Sequence, residues 1–325
     1  MIVVTGAAGF IGSALIWLLN QRGETDILAV DVHASAAGEA NLAPLRFARG
    51  YQNHHAFRDD LLAGRYAGQL RAILHMGACS STTETDWDYL ERNNLQYSRD
   101  LCLAARRQNA RFVQASSAAT YGDGAQGYRD DHDLLDRLQP LNLYAKSKHL
   151  FDLWARDEGL LDEICCLKYF NVYGPNEWHK GDMRSMVLKG FEQVRASGRV
   201  RLFRSDRPEY ADGGQMRDFI YVKEAAAMTL WLLDRPAVNG VFNIGTGRAC
   251  DWNTLIGAIF AALGREPQIE YIPLPDHLAG KYQYFTEADM TKLRGAGYQQ
   301  PDVPVADAVR DYVVGHLVPN RHLGA

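Results

Sequence analysis

One stretch near the start of the chain, Thr5-Gly6-Ala7-Ala8-Gly9-Phe10-Ile11-Gly12, limits the fold more than any other. It follows the apolar, β-branched run Ile2-Val3-Val4 and precedes an apolar-periodic segment that continues to Leu18-Leu19. A second buried-type strand, Ile27-Leu28-Ala29-Val30, ends in Asp31. Strand, glycine turn, helix and strand within about thirty residues make a βαβ unit, the setting in which such a turn holds a dinucleotide. Gly6 and Gly9 let the backbone approach a pyrophosphate, and Gly12 lets helix and strand pack closely. The helix N-terminus adds free amides and partial positive charge. Asp31 stands where a carboxylate accepts from a ribose hydroxyl. The plainer reading, a structural glycine turn, leaves the place of Asp31 unexplained.

The alternation continues. Residues 71–75 read as a strand running into Met76-Gly77-Ala78-Cys79-Ser80-Ser81, and a long helix is expected from about 83 to 108. Residues 112–115 form a further strand that delivers Ser116 and Ser117 at its C-terminal end. A helix over about 143–158 and a strand over 164–168 follow. Residues 33–68 read as irregular, and 122–140, rich in Gly, Asp and Arg, as an exposed loop. This order predicts an α/β fold with a doubly wound parallel sheet. Ligands of such sheets collect at the C-terminal edge of the strands.

Beyond Tyr169 the pattern loosens. An aromatic, Gly/Pro-punctuated loop (170–181) precedes a helix over about 185–196, a strand near 200–203 and a loop (204–217) carrying Arg204, Arg207 and Arg217. Val241–Ile244 leads into Gly245-Thr246-Gly247, and a short strand is expected around 268–272. We read a dinucleotide-binding domain of residues 1–170 with about 218–248. A smaller mixed α/β substrate-binding domain takes about 171–217 and 249–325.

Ser117, Tyr144 and Lys148 carry a definite chemistry. Moving a hydride off an alcohol carbon requires removing the hydroxyl proton at nearly the same moment. A phenol, ordinarily near pKa 10, does this once its phenolate is stabilised. Lys148 lies one helical turn past Tyr144 on the same face, so its ammonium supplies that stabilisation. Ser117 holds the substrate oxygen. Each unit of pKa lowering corresponds to about 1.4 kcal/mol of preference for the phenolate.

Composition excludes several classes. The chain has 325 residues, 47% of them hydrophobic and 23% charged, and a net charge of -4. It has no basic field for nucleic acid or an anionic membrane. No apolar run approaches the ~18 residues of a membrane span. The start has no basic stretch ahead of an apolar one, so no secretory signal is expected. Five cysteines, at 79, 102, 165, 166 and 250, show no Cys-x-x-Cys pair. They read as reduced thiols of a cytoplasmic protein with no metal site. Cys79 and the pair Cys165-Cys166 read as core filling, and His54-His55 as part of a loop.

Together with YFNVYGP (169–175) and RDFIYV (217–222), the glycine turn and the Ser/Tyr/Lys trio resemble the extended short-chain dehydrogenase/reductase family of nucleotide-sugar enzymes. GACSSTTE (77–84), ASSAATYG (115–122), His179-Lys180-Gly181, FNIGTGRA (242–249) and residues 269–298 are similar to its branch acting at C6 of ADP-bound heptoses. The resemblance implies a Rossmann sheet and a cytoplasmic homo-oligomer. It also implies an isomerase that epimerises an ADP-heptose for lipopolysaccharide by transient oxidation.

It implies Tyr144 and Lys180 as the two acid/bases, with Ser117 and Lys148 beside the first. From residues alone, Lys180 would be a solvated loop charge. The implied cofactor contacts are Gly6, Gly9, Phe10, Ile11, Gly12, Asp31, Val32, Met76, Gly77, Ala78, Cys79, Ser80, Asn93, Lys148 and Val172. The implied substrate contacts are Asn171, Asp182, Lys189, Phe203, Arg204, Ser205, Asp206, Arg217 and Tyr282. Arg217 suits a diphosphate because its planar fork binds oxygens in pairs.

The resemblance implies NADP, with NAD as the alternative. Gly38 stands where the family usually has Lys, no Lys lies between Asp31 and Lys146, and Arg46 or Arg49 would have to hold a 2′-phosphate. Asp182 and Lys189 also depart from the family pattern. Two rivals differ in chemistry: another nucleotide-sugar epimerase, such as a 4-epimerase, and a non-catalytic dinucleotide sensor. The sensor should lack Tyr144 or Lys148. A dehydratase should have acidic residues where Ala118-Ala119-Thr120 stand.

Overall fold

A computed structural model describes residues 1–32, 35–275 and 282–325. Its centre is a parallel seven-stranded sheet in the order β10-β6-β5-β4-β1-β2-β3. The strands are β1 (Ile2–Thr5), β2 (Ile27–Asp31), β3 (Tyr51–Asn53), β4 (Ala72–His75), β5 (Arg111–Ser117), β6 (Cys165–Tyr169) and β10 (Gly240–Ile244). Between them run α1 (Phe10–Gln21), α2 (Ala36–Leu42), α3 (His54–Leu62), α4 (Trp87–Leu90), α5 (Tyr97–Arg107), α6 (Leu143–Asp157) and, before β10, α8 (Val222–Leu233). Helices flank the sheet, so β1, β4, β6 and β10 are buried throughout, including the polar residues Thr5, His75, Lys168 and Asn243 they carry. Strand order reverses between β1 and β4, which opens a crevice at their C-terminal ends.

Two small sheets stand beside it. The first has the order β11-β9-β7, from Ala249–Asp251, Met216–Tyr221 and Asn171–Tyr173. The second pairs β12 (Ile269–Ile272) with β8 (Val200–Phe203). Near them lie α7 (Met186–Ser197) and α9 (Trp252–Ala262), then α10 (Thr291–Gly295) and α11 (Val305–Tyr312).

The glycine turn is set by close approach. Gly6 has φ +64°, and a Cβ there would lie 2.7 Å from the Gly77 nitrogen. A Cβ at Gly12 would lie 2.0 Å from the Gly6 carbonyl oxygen. Gly12→Ala is therefore expected to lower unfolding free energy by about 1–3 kcal/mol through overpacking. Gly257→Ala, in α9 where a Cβ meets nothing within 4 Å, should be neutral or stabilising. Urea unfolding of the two variants checks the contrast.

Several expectations change. Residues 35–68 are not irregular: α2, β3 and α3 lie there, and His54-His55 open α3 rather than sit in a loop. Asn53 caps α3 by accepting from the His55 amide, which fixes its start. The helix expected over 83–108 begins at Trp87, capped by Asp86, and passes through a π-helical stretch, Glu91–Gln96. Residues 122–140 are not a simple exposed loop. Tyr128, Asp130, Leu135 and Leu138 are buried, and Asp130 accepts from the Asn243 amide of β10 at 2.8 Å. Their polar composition hides this because the polar groups are paired inside the protein.

One buried hub ties distant segments together. Asn41 Nδ2 donates to the carbonyls of Ala8 and Asn176, each at 3.0 Å. Its Oδ1 lies 2.8 Å from His322 Nδ1. The Leu323 amide donates to Asn176 Oδ1 at 3.0 Å. The glycine turn, α2, the 174–183 segment and residues 322–323 are joined through it.

Candidate active site

A cavity of about 880 Å³ opens where the sheet order reverses. Gly6, Gly9, Phe10, Ile11 and Gly12 form its floor beneath the N-terminus of α1. No side chain caps that helix, so its first amides stay open to an anion. Asp31 and Val32 end β2 on the wall. The Asp31 carboxylate accepts from the Ala8 amide at 2.9 Å and from the Val32 amide at 2.8 Å. Met76, Gly77, Ala78, Cys79 and Ser80 line the next part after β4. Cys79, read as buried filler, is half-buried on this wall, whereas Cys102, Cys165 and Cys166 are core.

Asn93 lies off the wall. Its amide donates to the Tyr89 carbonyl one turn back, at 2.8 Å. Its neighbour Asn94 is the structural residue here. Asn94 Oδ1 accepts from the Cys79 amide and its Nδ2 donates to the Cys79 carbonyl, both at 2.9 Å; Nδ2 also lies 3.0 Å from Ser147 Oγ. The dinucleotide loop is thereby fastened to α6. Asn94 is fully buried, and such a residue needs polar partners, but no local sequence signal separates it from Asn93.

Ser117 ends β5, while Tyr144 and Lys148 occupy successive turns of α6, and all three face the cavity. Asn142 caps α6 through the Ala145 amide at 2.8 Å, fixing where that first turn begins. Burial raises the Tyr144 phenol, and the Ser117 hydroxyl acts against this. Burial also brings Lys148 down to about 8, partly offset by Asp152. Lys148 Nζ is buried and has no hydrogen-bond partner. An orphaned donor on the wall of a dinucleotide-shaped crevice fits a nicotinamide dinucleotide, which would give it acceptors.

Lys180 reaches the same cavity from a different element, the 3₁₀ stretch Trp178–Met183. Its Nζ lies 5.0 Å from the Phe10 ring centre. Burial lowers its pKa, and the buried Glu177 nearby works in the other direction. Asn171 and Val172 line the wall too.

A second cavity of about 810 Å³ includes Phe203 and Tyr282, and Met186 and Trp252 border both cavities. Arg217 is buried beside them, 5.4 Å from the Tyr282 ring and 5.9 Å from that of Trp252. It donates to the carbonyls of Met216 and Gln283. Arg204, Ser205 and Asp206 line neither cavity; Ser205 Oγ donates to the Arg207 carbonyl, and the Asp206 amide donates to the Tyr284 hydroxyl. Asp182 is exposed, and Lys189 Nζ donates to its carbonyl at 2.6 Å. Neither lines a cavity. Among the described residues no group of three or more His, Cys, Asp or Glu could hold a metal, and no helix is long and apolar enough to cross a membrane.

The chain belongs to the NAD dependent epimerase/dehydratase family, whose profile matches residues 2–245. Over 98% of each chain it is 54% identical to the ADP-L-glycero-D-manno-heptose-6-epimerase of Nitratidesulfovibrio vulgaris. It is 40% identical to the enzyme of that name from Fusobacterium nucleatum, again over 98% of both. The crystal structure of Helicobacter pylori ADP-L-glycero-D-manno-heptose-6-epimerase superposes with a TM-score of 0.80, covering 97% of this chain and 95% of that one at 24% identity. That likeness establishes the shared fold.

Proposed function

We propose that this chain converts ADP-D-glycero-β-D-manno-heptose to ADP-L-glycero-β-D-manno-heptose, inverting C6. The observation that carries the reading is the convergence of Tyr144 and Lys180, from separate elements, on one cavity with Ser117 and Lys148. Two acid/bases suit a reaction whose substrate oxygen occupies two places. The names of the relatives at 54% and 40% identity favour this substrate over a 4-epimerase substrate. The presence of both Tyr144 and Lys148 disfavours a sensor.

A bound nicotinamide supplies reversible hydride acceptance, which inversion at a carbon with a non-acidic C–H requires. Tyr144 takes the C6 hydroxyl proton, while Ser117 holds the oxygen and Lys148 stabilises the phenolate. After rotation about C5–C6, Lys180 gives a proton to the oxygen in its second position. The reverse direction exchanges the two roles. Arg217 holds the diphosphate, with Phe203 and Tyr282 beside the nucleotide. The seven-stranded part binds the dinucleotide and the smaller sheets the sugar nucleotide.

NAD suits the ribose end better than NADP. Asp31 favours a free 2′-hydroxyl. Arg49 pairs with Asp26 and Arg46 bonds Asn20, at the other end of β2. The wider proposal is a cytoplasmic homo-oligomer that feeds heptose to lipopolysaccharide.

The test mixes purified protein with ADP-D-glycero-D-manno-heptose, without added cofactor, and follows C6 configuration by NMR. Conversion is expected. No conversion, even with NAD and NADP supplied in turn, would overturn the substrate. Mass spectrometry of the released dinucleotide decides between NAD and NADP.

A further inference from the structure

Behind the cavity wall lies a buried set of charges. Lys148 and Asp152 sit one turn apart on α6, 2% and 0% exposed. Asp152 Oδ2 accepts from Ser116 Oγ at 2.7 Å and pairs with Lys168 Nζ of β6 at 2.9 Å. Lys168 also donates to Thr120 Oγ1 at 2.5 Å, and Thr120 donates to the Ser117 carbonyl at 2.7 Å. Among the described residues the other carboxylate oxygen, Oδ1, has no hydrogen-bond partner, and neither has Lys148 Nζ. The carboxylate thus pairs with the Lys168 ammonium and stands one helical turn from a second one, that of Lys148. The three charges sum to one positive, which a Tyr144 phenolate would neutralise.

We infer that Asp152 is a positioning residue: its buried charge, one turn from Lys148 on α6, keeps that lysine cationic, while its paired edge fastens the Ser116-Ser117 turn. This rests on the reading of Tyr144 as a base. Cys166 on β6 and Cys79 after β4 also act on Lys148, less than Asp152 does. His75 on β4, which feels the Lys148 charge, is driven by burial toward its neutral form, and Cys166 likewise. His149 on α6, facing Lys168 and Asp152, is also lowered by burial. Without the Asp152 charge, a dry wall favours neutral Lys148, and the phenolate loses its partner.

The experiment is the pH profile of kcat and KM for the dinucleotide-loaded protein and its variants. In Asp152→Asn the acid limb should move up by roughly one pH unit, with KM unchanged. Asp152→Glu, which keeps the charge, should retain the original limb. Asp152→Asn combined with Lys168→Gln removes the buried pair together, so Lys168 is not left without its carboxylate. It should follow Asp152→Asn and decides the matter if the single variant does not fold. Profiles that superimpose on the parent in pH position, however slow, would overturn the inference. A surviving Tyr144→Phe would instead overturn the base on which it rests.

Discussion

Replacing Tyr144 by Phe is expected to lower kcat for C6 inversion by about 10²–10⁴-fold, the range for loss of a positioned acid/base. KM should change little. The phenyl ring keeps the packing of the first turn of α6, so the fold and the Asn142 cap remain. What disappears is the oxygen beside Ser117. The effect belongs to chemistry rather than folding, and equal melting temperatures of variant and parent check that point. A variant with unchanged kcat would show that another group takes the proton.

Lys180→Ala should lower inversion by a similar factor of about 10²–10⁴, for a complementary reason. It leaves Ser117, Tyr144 and Lys148 in place, so the proton can still be taken where Tyr144 reaches. The two variants should therefore differ when each C6 epimer is offered separately. Each should reduce bound nicotinamide with one epimer and not the other, and the two variants with opposite epimers. Absorbance of the reduced cofactor reads this directly. The same epimer for both variants would remove Lys180 from its role. The parent should also show an alkaline limb below the ordinary lysine value of about 10.4. Burial lowers the Lys180 pKa, so its ammonium is lost earlier as pH rises.

Features carried by local periodicity were legible in the sequence. The glycine turn, Asp31 and the trio at 117, 144 and 148 declare themselves by spacing, and the structure places them on one crevice. Lys180 was different. A lysine in a polar loop has no local signature, and only resemblance singled it out. The pairing of Asp152 with Lys168 depends on the register of β6 beside β5 and on the facing side of α6, which single segments do not encode. Residues 122–140 misled because Asp130 looks like a solvated charge until β10 arrives to satisfy it. Asn93 and Asn94 differ by one position, and only the π-helical geometry around them decides which one faces the Cys79 loop.

The Asn41 hub bears on the order in which a growing chain becomes competent. Its partners include Ala8 in the first turn and His322 near residue 325. Synthesis runs from the N-terminus, so Asn41 meets Ala8 and Asn176 well before His322 is made, and the hub is at first only partly filled. The contacts of Asn41 with His322 and of Asn176 with Leu323 then wait while some 140 further residues are added, the span between Lys180 and Leu323. The last brace on the site is accordingly added late, even though most groups that face the cavity lie before residue 150.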